Sequence, residues 1–301
     1  MADIILEDES LRDGLQFEKL VVPYEQKQLI FHQLSAAGVR RIQVGSFVNP
    51  KIVPQMADTD MFVKDVQDSQ GPLVTGLVLN SKGLERALAC GLKHISLSAS
   101  VSDTQSLKNV RKPSYEAVVS VTQLIKEATQ AGIAVRAGVQ CAFGCVYEGE
   151  IAEKTVIQAI GQMAEAGAGE FNLADTTGMA NPSQVKRLVS KVKETLPDAV
   201  LSLHLHDTRG LGMANMIAGY ETGVRIFDTS VGGLGGCPFV KGAAGNVPTE
   251  DAVHMFESMR IKTGIDLKRL CEVTEHYERI LGRTLPGRMS RVLKAQSLCT
   301  A

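Results

Sequence analysis

Residues 9–19, ESLRDGLQFEK, follow the first strand-like run of the chain, residues 4–7. Strands and helices alternate along this sequence, and two α/β architectures fit such a pattern. A doubly wound open sheet usually places a G-x-G-x-x-G phosphate turn directly after its first strand. Here that position holds one glycine, Gly14, behind Arg12 and Asp13. The turn therefore favours the other alternating fold, a (β/α)8 barrel.

Outward from this turn the alternation continues. Residues 24–37 read as the first helix, closed by Gly38 as a C-cap. Strand-like runs follow at 41–44, 73–79, 94–98, 135–141, 170–173, 201–206 and 226–230. The amphipathic stretches between and after them cover 58–67, 82–90, 115–131, 152–166, 183–195, 213–222 and 249–259. Several of these close on glycine just before the next strand, and the helix at 183 starts behind Pro182. Eight such units in about 260 residues match a barrel in size and order. Further helices at 266–281 and 289–295 extend beyond the eighth unit. The expected fold class is α/β, a (β/α)8 TIM barrel with extra C-terminal helices. One catalytic domain is expected over 1–301, with the barrel to about 262 and the helical extension from about 263.

Composition narrows the function. The 301 residues carry a net charge of −1, with 44% hydrophobic and 22% charged residues. No basic field exists to attract nucleic acid or an anionic membrane. No apolar run approaches the ~20 residues that span a bilayer. The N-terminal segment MADIILEDES is acidic and resembles neither a signal nor a transit peptide. Six cysteines are too few for a secreted disulfide scaffold, and reduced thiols in the cytoplasm are expected. Cys299 is read as a free surface thiol. Quaternary state is not fixed by the sequence, which leaves a homodimer or higher homo-oligomer open.

Barrel enzymes act at the C-terminal ends of their strands. The chemistry-bearing residues fall there: Leu11–Gly14 after strand one, CAFGC at 141–145, DTTG at 175–178 and HLHD at 204–207. The loop VGGLGGCPFVKGAAGNVPTE, 231–250, follows strand eight. His204 and His206 stand at i and i+2 on a strand and share a face. Two such imidazoles suit a divalent metal, and Asp13 and Asn246 offer oxygen to complete a two-nitrogen, two-oxygen set. That set suits Mg²⁺ or Mn²⁺ as well as Zn²⁺. Cys141 and Cys145 lack the second pair of a zinc ribbon and are read as shaping a tight loop. Cys237, flanked by Gly236 and Pro238, is a candidate acid–base thiol on a closing loop. The loop glycines are read as its hinges.

The motifs LRDGLQFEK, SFVNPKIVPQMAD, CAFGCVYEG, LADTTGM, HLHDTRG and GLGGCPFVKGAAGN resemble the 3-hydroxy-3-methylglutaryl-CoA lyase family across nearly the whole chain. R-D-G and H-x-H-D-T are shared across its metal-dependent superfamily of lyases and Claisen synthases, whereas G-L-G-G-C-P is specific to the lyase branch. The resemblance implies that Asp13, His204, His206 and Asn246 hold a divalent cation, Mg²⁺ or Mn²⁺. It implies that Arg12 stabilises the enolate of the departing acetyl-CoA unit, Cys237 assists proton transfer and Asp175 supports it. Ser46 and Lys19 are expected substrate contacts, Lys19 toward CoA. The implied reaction releases acetyl-CoA and a 3-keto acid, acetoacetate from the methyl compound, within leucine catabolism and ketone-body formation.

Three positions depart from the family pattern. Gln43 stands where the family usually has Glu, which removes a carboxylate from the end of strand two. Asn172 replaces a usual Ser, and Gly138 a common aromatic residue. The last two fall near the acyl pocket, where altered specificity and compensated drift are equally compatible readings. Two alternatives to the lyase remain: a Claisen synthase of the isopropylmalate or citramalate type, and a barrel used as a non-enzymatic metal-binding scaffold.

Overall fold

The computed structural model describes residues 2–67, 70–236 and 245–299. Eight parallel strands close on themselves in sequence order: β1 (Ile5–Asp8), β2 (Arg41–Ser46), β3 (Leu73–Val78), β4 (His94–Ser100), β5 (Ala134–Gln140), β6 (Glu170–Asp175), β7 (Val200–Leu205) and β8 (Ile226–Thr229). Closure is made where Ile5 pairs with Ile226 and Asp8 with Thr229. The expected (β/α)8 barrel is the observed one.

Around it lie α1 (Tyr24–Ala36), α2 (Thr59–Val66), α3 (Ser81–Ala89), α4 (Asp103–Val110), α5 (Ser114–Gln130), α6 (Glu153–Glu165), α7 (Pro182–Thr195), α8 (Gly212–Glu221) and α9 (Thr249–Ser258). Their apolar stripes cover the outward strand residues, so Ile42, Leu97, Val139, Leu203 and Phe227 are buried. The glycine that ends α1 has a packing reason. Gly38 sits at φ 94°, and a Cβ there would come 2.4 Å from the Gly264 carbonyl oxygen. Among the described residues, no helix is long and apolar enough to cross a membrane.

Helix α4 is an element the sequence reading leaves out. Ser102 caps it by accepting from the Gln105 amide, and its short amphipathic run gave too few turns for a periodic signal. The tail forms α10 (Leu267–Leu281) and α11 (Met289–Cys299). Helix α10 reaches the catalytic end of the barrel, where the fully buried Tyr277 donates its hydroxyl to Ser10 Oγ at 3.0 Å.

The barrel interior departs from the branched aliphatic filling usual for this fold. Glu7, Glu9, Arg41, Arg136, Glu170 and Asp228 all point into it and are buried. Arg136 donates to Glu7 Oε2 at 2.8 Å, to Glu9 Oε1 at 3.0 Å and to Asp228 Oδ1 at 2.7 Å. Arg41 forms a bidentate pair with Glu170 at 2.7 and 3.0 Å. A buried charge is tolerable only when paired and hydrogen-bonded, and here each is.

Candidate active site

The residues of the opening turn do not make an ordinary loop. Ser10–Gly14 winds as a single π-helical turn, a local distortion common at functional sites. The Glu9 carbonyl accepts from both the Arg12 and Gly14 amides at 3.1 Å. This fixes Arg12 and Asp13 over the mouth of the barrel. Arg12 donates through Nη2 to Glu9, through Nε to Gln43 Oε1 and through Nη1 to Asp13 Oδ1. Gln43 passes the contact on, giving its Nε2 proton to Ser96 Oγ at 3.2 Å. The β2–β3 register shifts between Gln43 and Gly45, a bulge that aims this part of the strand.

His204 and His206 project inward from the end of β7, as their spacing requires. Their Nε2 atoms lie 3.1 Å apart. Ligand atoms of Asp13, His204 and His206 all fall within 4.8 Å of one another. The Nδ1 of His204 faces Asp228 Oδ2 at 3.2 Å and Glu9 Oε2 at 3.4 Å. A carboxylate on the far nitrogen fixes the tautomer and leaves Nε2 as the donor to a cation.

Asn246 arrives from the far end of the glycine loop. Its Nδ2 donates to Asp13 Oδ2 at 2.7 Å and to the Leu234 carbonyl at 3.0 Å. Its Oδ1 is buried and has no hydrogen-bond partner among the described residues. A buried acceptor left unpaired costs about 1–3 kcal/mol, so this oxygen, beside the two imidazoles and Asp13, fits a cation ligand. Two nitrogens and two oxygens form the donor set, consistent with a divalent ion.

The surrounding charges favour an ionised Asp13 and a neutral His206, and the carboxylates behind His204 favour its imidazolium form. Burial opposes a charge on His204, yet the Asp228 hydrogen bond and the Glu9 and Asp228 charges lift it to about 9. Burial and the neighbouring His204 charge push His206 down to about 4. Burial likewise opposes ionisation of Asp13, but Arg12 and both imidazoles outweigh it and hold the carboxyl below its usual range. Burial raises Glu9 to about 7 against the pull of Arg12.

Both ends of the glycine loop are pinned. The Gly245 carbonyl accepts from the Asp207 amide at 2.8 Å and Val247 from Ser230 at 3.1 Å. A Cβ at Gly245 would stand 1.8 Å from the Gly235 carbonyl oxygen, and one at Gly235 2.5 Å from Asn246 Nδ2. At these two positions the glycines permit close backbone approach. Cys237 lies outside the described residues.

The family model described as HMGL-like matches residues 3–276. The chain belongs to the HMGL-like family. Among its HMGL-like relatives, hydroxymethylglutaryl-CoA lyase of Bacillus subtilis is 37% identical over 284 residues, 94% of this chain and 95% of its own length. An (R)-citramalyl-CoA lyase of Chloroflexus aurantiacus is 37% identical over 297 residues, 95% of this chain and 94% of its own length. A solved HMG-CoA lyase of Acinetobacter baumannii, in complex with coenzyme A and 3-methylmalate, is 39% identical. It covers 96% of this chain and 94% of its own, with a TM-score of 0.90.

Within this HMGL-like site the sequence-derived residues fall into two groups. Arg12, Asp13, Gln43, His204, His206 and Asn246 converge. Asp175, at the end of β6, is buried, with Oδ1 and Oδ2 accepting the Met179 and Ala180 amides of the following loop at 2.8 and 3.1 Å, and burial raises it to about 6. Asn172 donates to Ser202 Oγ at 3.0 Å and to Asp228 Oδ2 at 3.1 Å. Its amide therefore supports the carboxylate behind His204. Gly138 pairs with Ser98 of β4, and a Cβ there would stand 2.9 Å from Ser98 Cβ. Part of the space over Gly138 therefore belongs to Ser98. Ser46 is buried at the end of β2, and Lys19 is exposed on the loop between the π-helical turn and α1. Cys141 and Cys145 are free and buried, and Cys145 closes its loop by donating its amide to the Gly149 carbonyl at 2.8 Å.

Glu9, Arg136 and Asp228 are absent from the sequence-derived set. Arg136 and Asp228 were visible as charged residues at inward positions of strands that otherwise read as apolar, and Glu9 as an acid just past β1.

Proposed function

We propose that this chain is a divalent-cation-dependent carbon–carbon lyase acting on a 3-hydroxy-3-substituted glutaryl-CoA. 3-Hydroxy-3-methylglutaryl-CoA is the first substrate to consider, with acetyl-CoA and acetoacetate as products. The observation that carries this reading is the convergence of Asp13, His204, His206 and the unpartnered Asn246 Oδ1 beside the Arg12 guanidinium. The relatives named hydroxymethylglutaryl-CoA lyase support it.

The chemistry asks three things of the site. The 3-hydroxyl must lose its proton, the C2–C3 bond must break, and its electron pair must rest on the thioester enolate until C2 is protonated. Asp13, His204, His206 and Asn246 would hold Mg²⁺ or Mn²⁺, which supplies Lewis acidity toward substrate oxygens. Arg12 is braced on three sides by Glu9, Asp13 and Gln43, so its charge is preorganised for the enolate. Gln43 contributes a neutral hydrogen bond to that brace. Cys237 is the proposed proton carrier, delivered by a loop whose ends are anchored beside Asn246 and Leu234. Asp175 is proposed to support this step by holding the β6 loop. Ser46, Asn172 and Gly138 would border the acyl group, and Lys19 the CoA moiety.

Such an activity belongs to leucine catabolism and ketone-body formation. The buried free thiols Cys90, Cys141, Cys145 and Cys271 support a reducing, cytoplasmic setting. A second reading is (R)-citramalyl-CoA cleavage, favoured by the relative of that name. The purified protein with Mg²⁺ or Mn²⁺ should release acetyl-CoA from one of the two thioesters, and their kcat/KM ratio selects between the readings. EDTA and His204→Ala should each abolish release. No acetyl-CoA from either thioester in the metal-loaded protein would overturn the assignment.

A further inference from the structure

The buried network beneath the site contains a carboxylate that touches both halves of the chemistry. Glu9 closes β1 with its amide donating to the Thr229 carbonyl at 2.8 Å, so its backbone is fixed against β8. Its side chain, 1% exposed, turns into the barrel. Oε2 accepts from Arg12 Nη2 and lies 3.4 Å from His204 Nδ1. Oε1 accepts from Arg136 Nη2 at 3.0 Å. The other terminal nitrogen of Arg136 holds Asp228 Oδ1 at 2.7 Å, and Asp228 Oδ2 meets the same His204 Nδ1. One guanidinium thus aims two carboxylates at one imidazole nitrogen, and one of them continues to Arg12.

We propose that Glu9 is a positioning residue that locks the Arg12 guanidinium and the His204 imidazole into one arrangement. The inference rests on the lyase reading given above for its catalytic arm. Arg12 uses one nitrogen for each brace: Glu9 and Asp13 supply carboxylates, and Gln43 supplies a neutral amide oxygen from β2. Charge-assisted bonds are the stronger ones, so Glu9 contributes more to the aim of the guanidinium than Gln43 does. Behind His204, Glu9 adds a second negative partner to Asp228, and such partners orient a metal-ligating imidazole.

The test separates the two halves. Glu9→Gln keeps the shape and removes the charge. A displaced catalytic group costs about 10²-fold in rate, so kcat should fall by that order while KM stays near the parental value. Mn²⁺ affinity, measured by titration of the folded protein, should weaken about tenfold. The double variant Glu9→Gln/Gln43→Glu moves the carboxylate to the neighbouring strand but keeps it on Arg12. At saturating Mn²⁺ it should recover most of the lost kcat, with Mn²⁺ affinity still at the level of the single variant. Parental kcat and Mn²⁺ affinity in Glu9→Gln, or a double variant no faster than the single one, would overturn the proposal. Should Glu9→Gln fail to fold, Glu9→Asp keeps a charge for Arg136 and withdraws it from Arg12; parental kcat there overturns the proposal equally. Should the parent cleave no acyl-CoA, the lyase reading falls on its own and the Mn²⁺ titration decides: unchanged affinity sinks the Glu9 role, tenfold loss upholds it.

Discussion

The Nδ1 atom of His204 stands 3.2 Å from Asp228 Oδ2, a carboxylate presented by the neighbouring strand of the barrel. That contact turns the imidazole so that its Nε2 faces His206. Asp228→Asn removes the charge and leaves the volume. Divalent affinity should fall about 10- to 100-fold, with lyase turnover falling alongside at subsaturating metal. Mn²⁺ titration of the purified variant measures it, and an unchanged dissociation constant would show that Asp228 only packs.

Arg136 is 3% exposed and holds Glu7, Glu9 and Asp228 together. Removing one partner of a buried ionic network leaves uncompensated charge, at a cost of about 3–5 kcal/mol. Arg136→Met should lower the unfolding free energy by that order, read from the shift of the denaturant midpoint at unchanged m. A change within about 0.5 kcal/mol, the scale of a neutral surface substitution, contradicts the keystone role.

Glu250, which is outside the cation ligand set, gives the fold a pH dependence of its own. Its Oε2 accepts the Gly232 amide at 2.9 Å and its Oε1 the Thr274 hydroxyl at 3.1 Å. Burial raises its carboxyl to about 7 from an ordinary 4.5. The folded state then binds the proton more tightly than the unfolded one, so stability falls as pH rises through that window. The full effect, on the order of 3 kcal/mol, is reached above the folded value. Glu250→Gln should flatten this slope and raise Tm at pH 8 relative to the parent. Thermal melts between pH 5 and 8 check it, and parallel profiles for the two proteins would exclude the effect.

Gly245 leaves no room for a side chain, since a Cβ would stand 1.8 Å from the Gly235 carbonyl oxygen. Gly245→Ala should force the two ends of the loop apart, at a stability cost of about 1–3 kcal/mol. Because Asn246 is the next residue, Mn²⁺ affinity should weaken as well. Alanine tolerated without loss of either would mean that the close approach is not required.

Much of the site could be read directly from the chain. Arg12-Asp13 and His204-x-His206 lie within short motifs, and the i, i+2 spacing alone places both imidazoles on one face. Asn246 was reachable as an amide on the loop after the eighth strand, with its ligand role implied by the family resemblance. The roles of Gln43, Asn172 and Gly138 were harder. Each meets a neighbour from another element: Arg12 on Gln43, Asp228 on Asn172 and Ser98 against Gly138.

Strand and helix periodicity, together with glycines at the helix ends, determined the barrel because those signals are local and act within a few residues of one another. The charged interior was decided only by closure. Glu7 and Arg136 are 129 residues apart, and Asp228 and Arg136 are 92 apart. On the open chain each is one more charge on a strand, with no partner implied by spacing. Only the closed barrel brings them into a volume where water is excluded, and there a charge must find its opposite. Glu9, read from sequence as one more acid in an acidic segment, becomes in that volume the carboxylate shared by Arg12, Arg136 and His204.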